Sequence, residues 1–178
     1  DANNQTVGQE LGVRVSSPTY KKYVISGTAP AGTAQVIVSL WKDPGSGSVW
    51  LDDLFLATSS APSAAQLVCT NDLLSNGGFE YGLAGWDMWG GNSTTSGDAH
   101  SGSKALRVTA KTGFGPSDAL RAEPGQQFNL SFWAKASDAS VGAWMGLQFL
   151  DANDNALAAK GADIRSETYG LYSLSGTA

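Results

Sequence analysis

Hydrophobic residues in this chain recur at every second position in short bursts, with no sustained 3.6-residue spacing of the kind an amphipathic helix needs. The segments QVIVSLW (35–41), SVWLDDLFL (48–56), KALRVTA (104–110), QFNLSFWAKA (127–136) and AWMGLQFL (143–150) are rich in β-branched and aromatic residues and are separated by Gly, Pro, Asn, Asp and Ser. Each predicts a strand, and the set predicts an all-β fold, a β-sandwich of two antiparallel sheets. Alternation also sorts the side chains. In 127–136, Phe128, Leu130, Phe132 and Ala134 take the core face and leave Asn129, Ser131, Trp133 and Lys135 on the other. In 143–150, Met145, Leu147 and Phe149 form the apolar set, with Trp144 and Gln148 opposite.

The pattern repeats. YKKYVISGTA (20–29) returns as YGLYSLSGTA (169–178) at an offset of 149 residues (169 minus 20), and DANNQ (1–5) returns as DANDN (151–155) at 150 (151 minus 1). The copies are similar rather than identical, which predicts two tandem homologous repeats. On this reading residues 1–57 are the back part of one repeat and residues 73–178 the front and middle of the next. The stretch ATSSAPSAAQLVCTND between them has the small, polar, Pro-containing composition of a linker, placed at 58–72.

Composition narrows the function classes. The chain has 178 residues, 42% hydrophobic and 10% aromatic, enough for a packed core. With 22 glycines and only 15% charged residues it matches secreted, extracellular β-proteins. The net charge of −5, with no Lys/Arg cluster, excludes the electrostatic footprint of a nucleic-acid or anionic-membrane partner. No apolar run approaches the length of about 20 residues that spans a bilayer. Cys69 is the only cysteine, so neither an internal disulfide nor a cysteine-based zinc site can form.

The motifs LLSNGGFEYGLAGWDMWG, AHSGSKALRV, FNLSFWAKA and YSLSGTA, with PAGTAQVIVSLWKDPGSGSVWLDDLFL from the first part, together resemble the jelly-roll carbohydrate-binding modules of the family four and nine type. The resemblance covers nearly the whole chain, in circularly shifted order: in the family NGGFE comes first and LDDL last. Residues 73–178 therefore lack two final strands, and residues 30–57 are strands of that type. The missing strands come either from residues 34–57 of the same chain or from a neighbour, which would give self-association by strand exchange, as in a fibre or surface adhesin.

The resemblance implies a non-catalytic polysaccharide-binding module, and the residues agree. His100 is the only histidine and sits in a turn-like stretch, and no pair of carboxylates stands out for glycoside hydrolysis. It also implies a structural calcium ion near Glu80 in NGGFE, the AHSGSK turn with Ser101 and Lys104, and Asp52 or Asp53 in LDDL. Strand alternation sends Asp52 and Asp53 to opposite faces, so only one of them is expected to share a metal with Glu80. Sugar binding needs exposed aromatics beside polar groups. Trp133 and Trp144 are expected to form a common stacking platform, with Gln148 and Lys135 orienting hydroxyls and Trp41 and Trp89 extending it. Trp86, in the GW pair, is expected in the core.

Overall fold

In the computed structural model the described residues are 13–14, 18–42, 44–59, 71–90, 93–109, 112–137, 141 and 143–161. The second copy, 169–178, lies outside them, as does most of the expected linker. The strands in chain order are β1 (Val13–Arg14), β2 (Lys21–Thr28), β3 (Gln35–Lys42), β4 (Val49–Ser59), β5 (Trp86–Trp89), β6 (Ser93–Ser96), β7 (Ala105–Val108), β8 (Thr112–Pro116), β9 (Leu120–Arg121), β10 (Gln127–Ala136), β11 (Ala143–Leu150) and β12 (Ala156–Gly161).

They form two antiparallel sheets. In the first, here sheet A, the order is β1-β11-β3-β8-β5, with β12 also on β11 and β9 also on β3. In sheet B the order is β2-β10-β4-β7-β6. β3 and β4 are thus interior strands, β3 between β11 and β8 and β4 between β10 and β7. Of the two expected sources of the missing strands, the structure uses the same chain. β2, from the duplicated segment, closes the β10 edge.

The strand boundaries depart from expectation at the linker. Thr58 and Ser59 still pair with Phe128 and Gln127, so β4 extends two residues into it. At its far end the Asp72 carboxylate accepts the N–H groups of Leu56 and Leu74, fastening the returning chain to β4.

Alternation puts the expected apolar sets inside. Phe128, Leu130, Phe132, Met145, Leu147 and Phe149 are fully buried, in one core cluster with Val36, Val38, Leu40, Leu51 and Leu56. Phe128 of sheet B meets Phe149 of sheet A at 5.9 Å between ring centroids, so the two sheets share one core. Trp86 is buried as expected, stacked on Phe114 at 4.6 Å with its indole N–H donated to the Asn76 carbonyl.

Candidate functional site

The outward residues of sheet A form a row of tryptophans. Trp144 of β11 stands directly opposite Trp41 of β3, and one pair further along Ser39 faces Gly146, then Ile37 faces Gln148. On the other side of β3, Trp41 pairs with Gly113 of β8, and Gly113 pairs with Trp89 of β5. Directly paired residues of neighbouring strands project to the same face, so Trp144, Trp41 and Trp89 lie across four adjacent strands. At about 4.8 Å per strand interval the row is about 14 Å wide, longer than one pyranose ring. Trp41 and Trp89 are 42% and 41% exposed, with centroids 6.0 Å apart and rings tilted by 31°.

A glycine makes room for this row. A Cβ on Gly115 would lie 2.8 Å from Cη2 of Trp89 and 2.9 Å from the Val38 carbonyl oxygen, so the bare backbone lets the indole lie across β8. Asp87, two residues from Trp89 on the same face, accepts a hydrogen bond from Ser117 Oγ at 3.0 Å. Neither Gly115 nor Asp87 was expected at the site. The readable signals were the alternating glycines of GFGP, which mark close approach in a strand, and the alternation of WDMW.

Trp133 and Lys135 are not part of this row. They belong to β10 in sheet B and project from the opposite side of the sandwich, so the expected platform shared by Trp133 and Trp144 does not form. Both strands alternate as expected, but alternation within a strand does not say which sheet it joins. Trp133 is covered on one ring face by His100, stacked at 3.8 Å. The Lys135 ammonium pairs with Asp98 and lies over the rings of Tyr20 and Trp50. Gln148, by contrast, lies on the sheet A face with Trp144.

The expected metal residues converge on one turn, residues 100–104, and hold it by hydrogen bonds. Asp52, 0% exposed, accepts the N–H groups of His100, Ser101 and Asp53. Asp53 accepts Ser101 Oγ at 2.6 Å and lies 2.7 Å from His100 Nδ1. The two aspartates were expected on opposite faces. A bulge in β4 opposite Phe132, with Asp53 at φ 50°, breaks the alternation and brings both to the same turn. Burial pushes the Asp52 carboxyl above the ordinary range, opposed by its N–H donors. Glu80 accepts Ser103 Oγ and the N–H groups of Ser103 and Lys104, which hold its carboxyl below the usual range. It can approach because Gly102, at φ 63°, has no Cβ where the carboxylate lies.

This donor set does not fit calcium as arranged. Oxygens of all three carboxylates face N–H or O–H donors, and the Lys104 ammonium, 2.9 Å from the Glu80 carbonyl, already supplies a cation. Among the described residues no three acidic, histidine or cysteine side chains are placed so that they could hold one metal ion. The melting temperature of metal-stripped protein is accordingly expected to stay within about 2 °C on adding millimolar calcium. A rise of several degrees, reversed by chelator, would show that the ion enters the turn.

A family model described as a carbohydrate-binding domain, of the family four and nine type, matches residues 71–168, more than half of the chain. Comparison with curated proteins and with solved structures gives no match. No helix among the described residues is long and apolar enough to cross a membrane.

Proposed function

Because the chain belongs to the family of carbohydrate-binding domains of the four and nine type, we propose that it is an extracellular, non-catalytic module that holds a polysaccharide on the outer face of sheet A. The observation that carries the choice of face is the exposed Trp41–Trp89 pair aligned with Trp144 across β11, β3, β8 and β5. Sugar rings present apolar C–H faces that stack on indoles, and Gln148 and Asp87 flank the row with groups that bond hydroxyls. Ser39 Oγ and Trp144 Nε1 are buried without a partner among the described residues. Trp50 Nε1 is unpaired in the same way on sheet B, so the choice rests on open indoles rather than on unpaired atoms. On sheet B the aromatics are already occupied by His100 and Lys135.

The net charge of −5 favours neutral over strongly anionic glycans. The sandwich takes β3 and β4 from its own chain, which favours binding over strand donation in a fibre. His100 engages Asp53 and Trp133, while Ser101 Oγ is bonded to Asp53, so no serine–histidine relay is assembled there. Affinity electrophoresis over neutral glucans, xylans and mannans, with alginate as the anionic control, tests the proposal. Retardation by at least one neutral polysaccharide is expected, and indifference to all of them would defeat it.

Gly115→Ala probes the row from beneath. The added methyl meets the backbone oxygen of Val38, which cannot swing away, and displaces Trp89. We expect a stability loss of about 1–3 kcal/mol, read by urea denaturation, together with weaker retardation. Unchanged stability and unchanged binding would mean that Trp89 does not rest on β8.

A further inference from the structure

Two residues along β3 from Trp41, the outer face of sheet A narrows to small residues. Ser39 stands opposite Gly146 of β11. On its other side the pairing of Trp41 with Gly113 and of Leu40 with Phe114 runs on to bring Ser39 beside Gly115 of β8, where a Cβ would lie 2.9 Å from the Val38 carbonyl oxygen. Val38 and Leu40 are core residues, so alternation turns the Ser39 hydroxyl to the outer face, between two glycines. A serine so placed would be open to solvent. Yet Ser39 is 0% exposed, and its Oγ has no hydrogen-bond partner among the described residues. Trp50, Ser93 and Trp144 also hold an unpaired polar atom, but each of those residues is partly exposed. Of the four, Ser39 alone is enclosed.

The cover beside it is aromatic. Trp89 reaches from β5 across Gly115, its Cη2 2.8 Å and its Cζ2 3.3 Å from where a Cβ on that glycine would lie. Little holds the indole there. β5 is the last strand of sheet A, paired with β8, and Trp89 is followed at its end by Gly90 at φ 88°. Trp86 donates its indole N–H to the Asn76 carbonyl, whereas the Trp89 indole has no hydrogen-bond partner among the described residues. It is a half-exposed ring resting on bare backbone, so a change of rotamer moves it aside without disturbing the core.

We propose that this is a covered subsite with Ser39 as its specificity-determining residue: a hexose polymer on the sheet A face displaces Trp89 from Gly115 and sets a hydroxymethyl group against Ser39 Oγ. This rests on the reading that a neutral polysaccharide occupies that face. Ring hydroxyls project from the rim of a sugar stacked on the indoles, level with the ring. The exocyclic hydroxymethyl arm turns about its own bond and reaches below it, toward the strand. Its hydroxyl gives Ser39 Oγ the partner it lacks in the free fold, and a buried polar group discriminates against a ligand that leaves it unpaired. Glucans and mannans linked through other positions carry that arm free. Xylans have none.

Ser39→Ala in the full chain tests this by calorimetry with a soluble glucan, a mannan and a xylan. The parent is expected to bind the glucan or the mannan more tightly than the xylan, and the substitution to weaken hexose-polymer binding about three- to tenfold while leaving xylan binding unchanged. In urea the variant is expected to be at least as stable as the parent, since the hydroxyl removed has no partner in the fold. Nuclear Overhauser contacts between the Trp89 indole and the Gly115 α protons are expected in the free parent and lost on saturation with the hexose polymer. Hexose-polymer binding indifferent to Ser39→Ala would overturn the proposal. So would a variant less stable than the parent, or a Trp89–Gly115 contact that survives saturation. A parent that binds xylan alone would overturn it and leave the sheet A reading standing, whereas a parent that binds no neutral polysaccharide would end both.

Discussion

Trp41→Ala is expected to weaken glycan binding by about tenfold or more while leaving the melting temperature nearly unchanged. Trp41 lies at the centre of the row, between Trp144 across β11 and Trp89 beyond β8, so its indole is the one a chain crossing the face must pass over. Removing the apolar area that stacks on a sugar ring costs about 1.5–3 kcal/mol, and each 1.4 kcal/mol is a factor of ten in affinity. Folding is spared because Trp41 points away from the core and is 42% exposed, so truncation leaves no internal cavity. Titration calorimetry with the glycan that retards the parent, alongside a thermal melt, reads both quantities. A variant that binds like the parent would remove Trp41 from the site. One that unfolds would make it a packing residue.

Deleting residues 1–57 is expected to abolish cooperative folding. The deletion takes β3 and nearly all of β4, interior strands of sheets A and B, and with them the buried side chains of Val36, Val38, Leu40, Val49, Leu51, Leu54 and Leu56. At about 1.5–3 kcal/mol for each buried aliphatic side chain, the loss of roughly 10–20 kcal/mol is comparable to or larger than the 5–15 kcal/mol by which a domain is stable. It also exposes the edges of β11, β8, β10 and β7, which promotes aggregation. A soluble fragment 58–178 with a single sharp melting transition would contradict this topology.

Sheet membership was the limit of what the sequence made legible. Period-two alternation identified which face of β10 and β11 meets the core, because burial acts on each strand locally. It could not assign those strands to different sheets, which depends on contacts such as Trp144 with Trp41 that join residues about a hundred positions apart. The site therefore split: Trp144, Trp41, Trp89 and Gln148 came together on sheet A, whereas Trp133 and Lys135 went to the other side. Glu80, Asp52 and Asp53 all meet the turn at 100–104 by hydrogen bonds, where the likeness of its motifs to the family had implied a metal shared by Glu80 and one aspartate. The convergence of both aspartates was not foreseeable, since it needs a bulge and a left-handed backbone at Asp53, and aspartate in a strand carries no such signal by itself. Gly115 was overlooked for a related reason: a glycine in a strand looks like weakness until the ring resting on it is known.

The most direct test of which face binds is calorimetric titration of one bound neutral polysaccharide into three proteins side by side: the parent, the Trp41→Ala/Trp144→Ala double variant and Trp133→Ala. Binding is expected to vanish in the double variant, where two indoles of the sheet A row are gone. It should persist in Trp133→Ala, whose indole is already covered by His100 on the opposite side of the sandwich. Binding lost with Trp133 and kept without Trp41 and Trp144 would place the site on sheet B and contradict the account.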